Sequence, residues 1–113
     1  MRILSRAALV LRYREPFLRW AAGIEAKAPA HAAGLRDDVS VYLVPEDPLE
    51  EQETPPLTDF FVEVFEHELE DWCTDEALWP AQRDFETFQA WFEVTGQSIV
   101  LDLGRGAIRG EEY

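Results

Sequence analysis

The chain has one cysteine, one lysine and two histidines in 113 residues, and only six glycines. Each scarcity closes a route. A single cysteine cannot form an internal disulfide, and it has no second thiol at metal-ligand spacing. The N-terminal stretch "MRILSRAALVLRYRE" holds an apolar run from Ala7 to Leu11 only. That is too short for a secretory leader, and no segment approaches the ~20 apolar residues of a membrane span. A soluble cytoplasmic protein is the expectation. The few glycines build no G-x-G-x-x-G, no P-loop and no G-x-S-x-G. "GRG" at Gly104 to Gly106 is too short to cradle a phosphate, and the acidic stretch lacks the Asp spacing and central glycine of an EF-hand. No catalytic residue, cofactor or metal ligand is assigned on this basis.

Positive charge is missing from the middle of the chain. Residues 37–76 carry fifteen acids and no Lys or Arg, whereas residues 1–36 carry seven basic groups and two acidic ones. The formal net charge is −13. Neutralising phosphates requires a basic surface, so direct nucleic-acid binding is not expected. Binding to an anionic membrane is disfavoured for the same reason.

What remains is globular in composition, with 47% apolar and 12% aromatic residues. Residues 1–113 read as one domain. "AALVLRY", Ala7 to Tyr13, reads as a strand. Pro16 sits where a helix can begin, and Phe17, Trp20, Ala21 and Ile24 predict a helix from about Pro16 to Ala26. Lys27 to Gly34 reads as a connector. Val39, Val41 and Leu43 alternate with polar or bulky neighbours as a second strand, ended by Pro45. Residues 45–57, "PEDPLEEQETPPL", read as an acidic, proline-rich loop. Thr58 is placed to cap the next helix, with Asp59 in its first turn. Phe61, Val64, Phe65, Leu69 and Trp72 form that helix's buried stripe. Asp84 is placed to cap a third helix bearing Phe85, Phe88 and Phe92, ended by Gly96, and Ile99, Leu101 and Leu103 read as a third strand. The order β-α-β-α-α-β predicts a small two-layer α+β domain, a three-stranded sheet covered by helices.

"FFVEVFEHELEDWCTDEALWP", Phe60 to Pro80, gathers the residues that most resemble a site. His67-Glu68-Leu69-Glu70-Asp71 departs from H-E-x-x-H by one ligand, since Asp71 stands where the second histidine belongs. Glu63, His67 and Asp71 share one helix face, so a metal-dependent hydrolase is the rival reading. A solvated face is the simpler account. Carboxylates on an exposed face lack the apolar pocket that separates an acid from a base. Cys73 falls near the C-terminal end of the helix beside Glu70, Asp71, Asp75 and Glu76, the opposite of what activates a thiol. Trp20 and Trp72 fall at core spacing. Trp79 and Trp91 are less constrained by pattern and are candidates for a ligand pocket or interface.

The same helix breaks a local rule. Glu66, Glu68, Glu70 and Asp71 crowd its C-terminal half, where acids oppose the helix dipole by about 0.3–1 kcal/mol each. No Lys or Arg in the helix compensates. Sequence that violates local preference is enriched in function. The expectation is a non-enzymatic protein–protein interaction domain. Its candidate partner-binding residues are Glu63, Glu66, His67, Glu70, Asp71, Trp79 and Trp91. They would meet a basic protein or the protein's own arginine-rich N-terminal third, within one chain or across a homodimer.

One resemblance is specific to the C-terminal third. "WCTDEALWPAQRDFETFQAWFEVTGQSIVLDL", Trp72 to Leu103, is similar to small uncharacterised bacterial proteins with a W-x-T-D…L-W-P…R…F…W-F…S-x-V-x-D-L pattern. The resemblance implies a bacterial source and lends no catalytic residue.

Overall fold

The computed structural model describes residues 1–25, 40–45, 58 and 60–112. The elements run β1 (Arg2–Ile3), β2 (Arg6–Tyr13), α1 (Glu15–Glu25), β3 (Ser40–Pro45), α2 (Phe61–Trp72), α3 (Phe85–Trp91), β4 (Phe92–Gln97) and β5 (Leu101–Asp102), with a 3-10 turn at Glu76–Leu78. The fold is mixed α+β. A three-stranded sheet has the order β3-β2-β4, and β1 pairs with β5 in a separate two-stranded ladder. All pairings are antiparallel. The connector at Lys27 to Gly34 and the acidic loop beyond Pro45 lie outside the described residues.

Strand alternation decides which side of β2 meets the helices. Ala7, Leu9 and Leu11 are buried, whereas Arg6 and Arg12 on the other side are exposed. Across the ladder Leu9 faces Tyr42 on β3 and Gly96 on β4, and Tyr13 faces Phe92. The helices cover this inner side. Phe17 and Ala21 of α1, Val64, Phe65 and Leu69 of α2, and Phe88 of α3 pack with Leu11 and Phe92 into one core. Phe17, Phe65 and Phe88 have no exposed surface. Each such side chain contributes about 1.5–3 kcal/mol by leaving water. Their rings meet at edge-to-face and tilted angles, as for Phe65 and Phe92 at 5.3 Å and 87°.

Two boundaries differ from the sequence expectation. The third helix ends at Trp91, and Gly96 lies inside a strand. Phe85, Phe88 and Phe92 fit a helical stripe, but Phe92, Val94 and Gly96 also fit strand alternation. Continuing the helix would strip β2 of the partner strand along its second edge, leaving main-chain groups unpaired. Arg14 N–H to Trp91 O, at 2.8 Å, marks the switch. As a result β4 takes the third place in the sheet, and the segment around Leu101 pairs with β1 instead.

Helix caps follow one expectation and correct another. Asp84 caps α3 by accepting from the Thr87 N–H at 2.7 Å. At α2 the N-cap position belongs to Phe60, which makes no side-chain cap, and not to Thr58. The ring of Phe60 instead packs against the core. Asp59 lies outside the described residues.

Candidate functional site

The inner side of β3 and the outer flank of α2 enclose an open groove of about 980 Å³. Tyr42, Leu43 and Val44 supply one wall, and Phe60 and Val64 add apolar floor. The facing wall is Glu63, Glu66, His67, Glu70 and Asp71, spaced at one helical turn along α2, with Thr74 below and Glu112 reaching in from the C-terminal tail. Five of the seven residues singled out in the sequence therefore line one concavity. All four α2 carboxylates on it are exposed, and His67 is half-buried.

Trp79 and Trp91 stand elsewhere. Both are partly buried against the aromatic core. The Trp79 indole N–H donates to Cys73 O at 2.7 Å, and the Arg83 guanidinium lies 5.7 Å from its ring centre. Trp91 packs among Phe17, Trp20 and Phe65. Trp20 and Trp72 hold core positions, their indoles donating to Leu78 O and Ala21 O.

The metal reading gains no support from geometry. Among the described residues no three His, Cys, Asp or Glu side chains converge closely enough to hold a metal ion. Cys73 is partly buried, with its Sγ 3.8 Å from Asp75 O.

The polar feature that sequence reading missed is Glu68. It is 1% exposed, the one buried charged side chain among the described residues. Tyr13 of β2 donates its hydroxyl to Glu68 Oε2 at 2.7 Å, and Tyr42 of β3 donates to Oε1 at 2.5 Å. The Tyr42 oxygen also lies 2.8 Å from His67 Nδ1. Tyr42 has one hydroxyl proton and gives it to Glu68, so His67 must be the donor in its contact with Tyr42. Burial pushes the Tyr42 phenol far above its ordinary value, and the hydrogen bond and negative charge of Glu68 push the same way. The network ties α2 to both β2 and β3 and sets the groove's two walls against each other. Its signal was in the sequence: Glu68 falls at i+7 from Phe61 and i+3 from Phe65, inside the apolar stripe.

None of Arg2, Arg6, Arg12, Arg14 and Arg19 lines this groove. Arg6 and Arg12 lie on the sheet side opposite the helices. Arg2 pairs with Asp102 at 2.7 Å, and Arg14 Nε donates to Phe92 O at 3.1 Å. No helix among the described residues is long and apolar enough to cross a membrane. No family model matches the chain, and neither any curated protein nor any solved structure matches it.

Proposed function

We propose that this chain is a non-enzymatic, cytoplasmic protein–protein interaction domain that receives a basic protein partner against the acidic wall of the β3–α2 groove. One observation carries this reading: Glu63, Glu66, Glu70 and Asp71 are exposed together along one wall of a concavity whose floor is apolar. The apolar floor supplies area to bury, and the carboxylates supply steering and register. Neutralisation by the same chain's Arg2, Arg6, Arg12, Arg14 and Arg19 has less behind it, because none of them lines the groove. The rival hydrolase on Glu63, His67 and Asp71 has no comparable observation behind it.

The test is capture of partners by the purified chain at low and high salt, with and without Glu63→Lys, Glu66→Lys and Glu70→Lys. A basic partner lost on both salt and charge reversal supports the reading. Binding indifferent to both would overturn it.

A further inference from the structure

Among the described residues, the four most exposed large apolar side chains, Met1, Leu103, Ile99 and Ile3, lie in or beside one strand pair, together with Leu101. Ile3 faces Leu101 across the β1–β5 ladder. Met1 directly precedes β1, and Ile99 and Leu103 flank β5 on either side. These five are 83%, 67%, 52%, 68% and 80% exposed for Met1, Ile3, Leu101, Ile99 and Leu103 respectively. The opposite side of the ladder holds Arg2 and Asp102, which pair with each other. A two-stranded ladder this short, with nothing buried on its apolar side, is marginal in water. A cluster of exposed apolar side chains of this kind marks an interaction site.

Charge selects what covers it. Residues 1–5 and 98–106 hold Arg2 and Arg105 against one acid, Asp102, in a chain of formal net charge −13. The arm is apolar with a positive surplus, whereas the β3–α2 groove is apolar with a negative wall. Within its own chain the arm is not seated there, because its apolar side chains face solvent. We infer that the β1–β5 arm docks into the β3–α2 groove of a second copy of this chain. The inference rests on the reading of that groove as a receptor for a basic protein surface, and names the surface. Arm and groove are different patches, so two copies exchanging arms reciprocally form a closed pair.

Sedimentation of the full chain at low and high salt tests this. Wild type is expected to run as a dimer at low salt and to weaken at least tenfold in affinity at high salt. Leu101→Asp in the arm, or Glu66→Lys with Glu70→Lys in the groove, is expected to leave a monomer. All three positions are exposed, and Ile3→Ser serves as a second arm variant. Mixing the arm variant with the groove variant restores one intact arm–groove contact and should recover a heterodimer. A wild type monomeric at every salt, self-association retained in both variants, or no recovery on mixing would each overturn the inference. Titration with an arginine-rich synthetic peptide separates the two ideas. A monomeric wild type that still binds the peptide in a salt-dependent manner sinks self-docking alone. One that binds neither sinks the groove as a receptor as well.

Discussion

Tyr42 on the edge strand donates its hydroxyl to Glu68 on α2 over 2.5 Å, joining helix to sheet where the carboxylate is 1% exposed. A buried ion survives only when its lone pairs are satisfied. Here two tyrosine hydroxyls do this, and no buried side-chain polar atom among the described residues lacks a partner.

Removing Glu68 takes away the carboxylate that accepts from both hydroxyls. Glu68→Leu is expected to lower stability by roughly 2–4 kcal/mol in urea unfolding, because a hydrogen bond to a charged group contributes about 1.5–3 kcal/mol and two are lost. Glu68→Gln keeps a carbonyl acceptor and should lose about half as much. Adding Tyr13→Phe and Tyr42→Phe to Glu68→Leu should return part of the loss, since the hydroxyls that lost the carboxylate are then gone. A strictly additive triple mutant would mean the three do not act as a network.

The same bond sets an alkaline limit. In the folded chain the Tyr42 phenol is held far above 10, its ordinary value, first by burial and then by Glu68. Its contribution to stability is whole below pH ~10 and is lost as pH rises above that, because the unfolded state alone releases the proton. Ultraviolet titration of the phenolates should show Tyr42 ionising only together with unfolding. In Tyr42→Phe that alkaline loss should shrink.

Asp84 makes the opposite prediction at low pH. The Gln82 amide and the Thr87 backbone and hydroxyl hold its carboxyl below the usual range. A lowered native value gives stability that is present above about 3.9, the unfolded value, and is lost as pH falls from there through the lower native one. Carbon-13 carboxyl titration should place Asp84 below a free aspartate, and Gln82→Ala should move it back up. Asp84→Ala should lower the thermal midpoint by fraying α3.

Legibility in the sequence followed how many forces agreed at each position. At α1, Phe17 and Ala21 sit at helical spacing behind Pro16, and the helix formed there. At Phe92 two periodicities overlapped, and tertiary pairing along Tyr13 and Leu11 chose the strand. Pairing across the chain leaves no local trace, so β5 was recognisable as extended but not as the partner of β1. The acids at Glu63, Glu66, Glu70 and Asp71 were read as one face, and they share one wall. Glu68 was read with them because charge type outweighed its place in the stripe. Its partners Tyr13 and Tyr42 lie 55 and 26 residues away, beyond any local pattern.

The central strand lies near the start of the chain, and one of its two neighbours lies near the end. Ala8 meets Gln97, and Tyr13 meets Phe92. A ribosome therefore releases β2 long before its flanking strand exists. Native closure is a late, long-range event that carries a high contact order and slows refolding. Until residue 97 has emerged, the nascent chain presents β2 with an open flank, the state in which chaperones have most to protect.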